Sequence, residues 1–220
     1  MFAALGRRFI RAFDTFLRRV LGVFEFTQDP RCILRLGRTR CPYDLRLSDG
    51  TLLHRGEPLL ELHLWNEHLP PMPPGGADVA WTVRFLQLWK HSVALLARYW
   101  QNHPEFSPIP AVHGIFALPG GEDLALQKRT LETMGFDVLL PRRTPWRVFA
   151  SFWENLYNWA IIWTFNPASL RVRKLVQMRR CHVWMSRRRL LERYAAPTGQ
   201  VAGRPQIGYN KGEEAGGGSA

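Results

Sequence analysis

Between Leu45 and Leu69 the chain reads LRLSDGTLLHRGEPLLELHLWNEHL, and apolar and polar residues alternate along it with a period of two. Asp49-Gly50 lies between two short alternating runs. It predicts a hairpin joining residues 43–47 to residues 51–54 through a type I′ turn, with both turn residues at positive φ. Arg55-Gly56-Glu57-Pro58 makes a second turn, because Gly supplies an unusual φ and Pro cannot donate into a strand ladder. A strand over residues 59–65 follows. Leu60, Leu62 and Leu64 share one face of it, and Glu61, His63 and Trp65 share the other. The leucine face belongs to a core, while the Glu/His/Trp face is either solvated or lines a cleft. Arg46, on the matching face of the earlier strand, is placed to pair with Glu61 across the sheet and leave His63 at the rim.

Elsewhere the period changes to that of helices. Residues 2–21 set Phe2, Leu5, Phe9, Phe13, Phe16 and Val20 on one side and Arg7, Arg8, Arg11, Arg18 and Arg19 opposite. This pattern fits an interfacial membrane helix. It equally fits a terminal helix packed on a sheet with its basic face in water. Gly22 ends it. Short strands are expected at 23–26 and 32–36, and the Pro-rich residues 70–76 leave the sheet. A long helix capped by Asp78 then runs to Asn102 and covers the leucine face. Residues 111–118 read as an interior strand, 122–134 as a helix closed by Gly135, and 136–140 as a strand. If those two strands are neighbours, they are parallel and joined by a right-handed crossover.

Residues 148–165 carry Trp153, Trp159 and Trp163 with Glu154 as their one charge, predicting a buried helix or, second, a Trp-rich interfacial one. Residues 171–193 are expected to form a basic helix displaying Arg179, Arg180, Arg187, Arg188 and Arg189, whose basic face is either solvated or binds anions. Beyond residue 195 the Gly, Pro and Ala content predicts a disordered tail. The expected organisation is a basic amphipathic helix over 1–22, an α+β domain over 23–194 and a tail over 195–220. The domain is a hairpin-rich mixed sheet covered by helices.

Composition narrows the partners. Thirty Lys and Arg against 18 Asp and Glu give a net charge of +12. The chain should therefore meet polyanions, either an anionic lipid surface or an acidic glycan. Nucleic acid is less favoured, because no recognised binding pattern accompanies the basic clusters. The nine Trp suit interfaces and headgroup regions. Cys32, Cys41 and Cys181 lack metal-ligand spacing, so no metal, cofactor or disulfide framework is expected. They fit a reducing cytosol, with the first helix as a means of peripheral attachment to the inner membrane. Arg7, Arg8 and Arg11 interrupt the early apolar stretch, so no cleaved secretion signal is expected.

Glu61 and His63, with Asn66 beyond them, are the candidate catalytic residues, in a group that also holds Glu67 and His68. Acid–base work by Glu61 and His63 would need a cleft with convergent polar groups. The candidate anion-binding residues are Arg7, Arg8, Arg11, Arg18 and Arg19 with Arg179, Arg180, Arg187, Arg188 and Arg189.

The segments LSDGTLLHRGEPLLELHLWNEHL, AVHGIFAL, MGFDVL and VWMSRRRLLERY together resemble the YkoP-like family of bacterial proteins over roughly residues 25–194. Gly56-Glu57 stands where such domains more often carry Gly-Asp. The resemblance implies a domain sometimes attached to polysaccharide deacetylases, and hence a place in envelope glycan metabolism. This chain has no segment like the deacetylase metal motif. Two readings follow: an accessory binding module at the inner membrane surface, with a polysaccharide-modifying enzyme as partner, or an envelope-precursor transferase or hydrolase using the Glu61/His63 face. Oligomeric state is not legible in the residues.

Overall fold

A computed structural model describes residues 2–118, 122–140, 156–157, 159–165, 167, 170 and 179–195. Its elements are α1 (Phe2–Val20), β1 (Leu34–Arg40), β2 (Leu45–Arg46), β3 (Leu52–Leu53), β4 (Pro58–Leu64), α2 (Val79–Asn102), β5 (Ala111–Leu118), α3 (Glu122–Thr133), β6 (Asp137–Leu139), β7 (Arg179–Ser186) and α4 (Arg187–Tyr194). The fold is α+β, as the pattern predicts. A mixed sheet runs in the order β1-β4-β5-β7-β6, and β2 and β3 form a separate two-stranded hairpin. β4 and β5 are parallel, and the other neighbouring pairs of the sheet are antiparallel.

Alternation decides which face is core. Leu34, Leu36, Leu60, Leu62, Val112, Cys181, Val183 and Met185 come from four adjacent strands and pack against Trp89, Val93, Leu96, Ala97 and Trp100 of α2. Asp78 caps that helix, its carboxylate accepting the Trp81 N–H at 2.7 Å. A smaller apolar cluster lies where the hairpin covers the opposite face: Leu47 and Leu53 pack with Leu59, Ala111 and Trp184. Both faces of the sheet are therefore covered at that end.

Several expectations need correction. Only Gly50 of the Asp49-Gly50 pair has positive φ. Its N–H bonds to Leu47 O, and Leu47 N–H bonds to Thr51 O. These bonds make a three-residue loop with a type I turn and a bulged glycine, which spares Asp49 the left-handed region. Residues 32–36 and 23–26 fare differently: β1 extends later, to Arg40, and Phe24 contributes only an isolated bridge to Leu36. β5 and β6 are parallel but not neighbours, because β7 lies between them and runs antiparallel to both.

The largest correction concerns the C-terminal region. Residues 179–186 are not helix but β7, an interior strand, and the helix begins only at Arg187. Cys181, Val183 and Met185 alternate with Arg180, His182, Trp184 and Ser186, a period of two that the flanking arginines disguise. The rest of the expected basic helix, residues 171–178, and the expectations for residues 148–155 and 196–220 lie outside the described residues. Residues 159–165 are helical. No helix among the described residues is long and apolar enough to cross a membrane.

Candidate functional site

Strand register brings chemistry together on the face away from α2. Glu61 of β4 stands opposite Gly37 of β1 and His113 of β5; His113 stands opposite Trp184 of β7; His63 stands opposite Arg35; and His182 stands opposite Ile115 and Leu139. Cross-strand partners project to the same side, so Glu61 and three imidazoles gather there.

The contacts are close. Glu61 Oε2 lies 3.3 Å from His63 Nε2, and Glu61 Oε1 lies 4.0 Å from His113 Nδ1. His113 Nε2 is 2.9 Å from His182 Nδ1, one ring nitrogen donating to the other. Trp184 packs on the His113 ring with centroids 4.2 Å apart. Gly37 makes room for His63: a side-chain carbon there would come within 2.9 Å of His63 Nε2.

Electrostatics follow from depth. His113 is buried, and burial first, then His182, bring its pKa down to about 4 against the opposing pull of Glu61. It is therefore neutral near pH 7. Its Nδ1 is buried without a hydrogen-bond partner among the described residues. Burial would raise the Glu61 carboxyl, but the hydrogen bond and charge of His63, helped by the other imidazoles, outweigh it and hold the group below its ordinary range. The carboxylate thus stays ionised, with side chains at Glu61 and His63 that are 24% and 32% exposed.

The Glu61–Arg46 pair expected from the hairpin does not form. Arg46 belongs to the separate β2–β3 sheet and is exposed, and Glu61 turns to histidines instead. The dense group at the end of β4 also splits. His68 Nδ1 bonds to Cys32 O at 2.8 Å and its ring stacks on Trp65 at 3.7 Å. Glu67 pairs with the buried Arg35 at 3.1 Å and with Arg18 of α1 at 3.5 Å. Arg35 also binds Glu25 at 2.9 Å and lies 4.4 Å over the Trp65 ring. Asn66 opens a 3-10 turn, and its side chain makes no hydrogen bond to the described residues. Sequence reasoning missed His113 and His182; the AVHGIF and CHVWM alternations place both on the polar side of their strands.

The basic candidates are scattered. Arg7 lies over Trp163 and Arg11 over Phe165, while Arg18 binds Asp14 at 3.0 Å. Arg8 and Arg19 are exposed. Arg179 and Arg180 end the register of β7 against Leu118 and Ala117. Arg187 approaches Trp100, Arg188 meets Asp49 at 3.4 Å, and Arg189 meets Asp137 at 3.6 Å. These three side chains of α4 run to separate partners.

α1 is turned inside out. Asp14 is buried and accepts the Tyr157 hydroxyl at 2.9 Å, and Gly6 lies against Trp163. Leu5, Phe9, Phe16 and Val20 are 67%, 69%, 60% and 64% exposed. The packed alternative for this helix required the phenylalanines inward, and that is not the arrangement found.

Two cavities lie elsewhere. An open groove of about 490 Å³ is lined by Glu132, Gly135, Arg189, Glu192 and Arg193, and a pocket of about 220 Å³ includes Arg38, Leu59, Phe106 and Ile109. Neither is lined by Glu61 or His63. Among the described residues no group of three His, Cys, Asp or Glu side chains is arranged to hold a metal ion.

The YkoP domain matches residues 7–194 of the chain. No curated protein and no solved structure matches it.

Proposed function

The chain belongs to the YkoP domain family, and from that premise we propose that it is a module of the inner-membrane surface that binds anionic lipid through α1. The observation that carries this reading is the outward apolar stripe. Leu5, Phe9, Phe13, Phe16 and Val20 recur at spacings of three and four and face solvent, while the one carboxylate of the helix, Asp14, points inward. Exposed Arg8, Arg11 and Arg19 flank the stripe. Phenylalanines entering the acyl boundary gain about 1.5–3 kcal/mol each when fully buried, and each arginine near an anionic surface adds about 1 kcal/mol. An acidic glycan or a nucleic acid would engage the same arginines but gives the phenylalanines no role. The resemblance to domains attached to polysaccharide deacetylases supports the same setting, with the chain as an accessory beside a glycan-modifying enzyme.

The test is co-sedimentation of the full chain with vesicles of phosphatidylcholine alone and of phosphatidylcholine mixed with phosphatidylglycerol, at low and high salt. Binding is expected only to the anionic vesicles, weakened by salt and lost in a Phe9→Ser, Phe16→Ser double variant. Equal sedimentation of that variant, or none of the full chain, overturns the reading.

A further inference from the structure

We propose that Glu61 and His63 form an acid–base pair in which His63 takes a proton from a hydroxyl group attacking an uncharged ester, with Glu61 as its positioning residue. The geometry carries this. The Nε2 edge of His63 lies over Gly37 and 3.3 Å from Glu61 Oε2, and a carboxylate on that edge favours the tautomer with its proton on Nε2 and its lone pair on Nδ1. That Nδ1 has no hydrogen-bond partner among the described residues, and a third of the side chain is open to solvent. A carboxylate behind an imidazole whose second nitrogen is free is the arrangement of a general base.

The surroundings suit the assignment. The hairpin roofs one end of this face through Leu47 and Leu53, and the Arg18–Glu67–Arg35 chain closes the other. Glu61, His63, His113 and His182 lie between them on the sheet face away from α2. Glu61 sets a carboxylate against the ring. A carboxylate there disfavours anions and favours uncharged substrates.

The step balances without a co-reactant. His63 Nδ1 takes the proton of water or an alcohol as the oxygen's electron pair bonds to the ester carbonyl carbon. Collapse of the tetrahedral adduct expels the leaving oxygen with the former ester bonding pair. The proton on His63 then passes to that oxygen or to solvent.

The inference does not rest on lipid binding by α1, so it is tested on the full chain without lipid. The probe is p-nitrophenyl acetate, followed as released nitrophenolate across pH 5–9. Charged and titratable neighbours that enter the profile are Arg35, Glu61, His113, Arg180 and His182. The expected rate exceeds that of an equal concentration of free imidazole by about tenfold or more. His63→Asn should reduce it to the imidazole level, and exposed His54→Asn should leave it unchanged. Glu61→Gln should lower the rate and alter its pH profile, since the carboxylate beside the ring becomes a neutral amide. A rate no greater than that of imidazole, or one that His63→Asn does not change while circular dichroism stays native, overturns the proposal. So does a Glu61→Gln profile identical to that of the natural chain.

Discussion

His63 lies directly over Gly37, so that a side-chain carbon at position 37 would meet its Nε2 at 2.9 Å. The glycine on β1 is thus what lets the ring lie against Glu61, two residues earlier on its own strand β4. Gly37→Ala forces a movement, and the atom that must move is the far end of a side chain rather than backbone. The expected result is a thermal melt close to that of the natural chain, together with loss of the His63–Glu61 contact. Nitrophenyl acetate turnover should fall to the His63→Asn level. Unchanged turnover would mean that the ring need not sit where it does.

His113 sets a dependence of stability on pH. Its folded pKa is about 4 against 6.5 for the free side chain. Between those values the unfolded chain holds a proton that the folded chain does not, so stability rises with pH across the interval. It is fully present above pH 6.5 and lost as pH falls toward 4, by roughly 3 kcal/mol at 1.36 kcal/mol per unit. Glu61, held below its ordinary range, adds a further loss at still lower pH, in the region below 4.5. Urea unfolding at pH 7.5, 6.5, 5.5 and 4.5 measures the slope, and His113→Gln should flatten it. A stability that is level from 7.5 to 4.5 would refute the assignment.

Arg35 is buried, with two carboxylates and an indole as partners. Arg35→Ala strands Glu25 and Glu67 and empties the space over Trp65, at an expected cost of about 3 kcal/mol. Arg35→Lys should recover little, because a single ammonium cannot bridge two carboxylates while lying flat on a ring. Chemical denaturation of the two variants checks both statements.

The exposed phenylalanines make a contrasting stability prediction. Phe16→Ala should change stability by no more than about 0.5 kcal/mol, as surface substitutions do. Trp100→Ala, in the α2 core and fully buried, should cost about 3–5 kcal/mol. A large effect at Phe16 would place it in an apolar contact and weaken the lipid reading.

These residues also mark how far the chain is legible before folding. Alternation from Leu45 to Leu64 foretells the hairpin, β4 and the division of leucines from Glu61 and His63, because a period of two is a local property. The same period in Arg180 to Ser186 is overshadowed by charge: arginines at either end suggest a basic helix, whereas an interior strand keeps its ends near solvent. Glu61 could be named as polar-facing, but its partners come from β5 and β7, far along the chain, and only strand order brings them together. Arg46, the nearer cation, sits on a hairpin that leaves the main sheet. For α1 the sequence separates an apolar face from a basic one without stating which turns inward; Gly6, Asp14 and Tyr157 decide that.

Asp49 ties the hairpin to the far end of the sheet, and that tie can be cut. Its carboxylate accepts the Ser186 hydroxyl and the Thr51 N–H, while Ser186 Oγ in turn accepts the Arg189 N–H as the cap of α4. Burial would raise the Asp49 carboxyl, but those bonds and the charge of Arg189 hold it below its ordinary value. Its contribution is therefore complete above the usual carboxylate range and lost as pH falls through the lowered value. Asp49→Ala removes the acceptor from Ser186 and frees the turn, at an expected cost of about 1–3 kcal/mol near neutral pH. Because Leu53 of the hairpin and Trp184 beneath it share one apolar cluster, their backbone amides should exchange with deuterium faster in the variant. Those of Leu62 and Val183, under α2 on the other face, should slow or quicken only with global stability. Equal acceleration at all four positions would show that the hairpin does not open separately from the sheet.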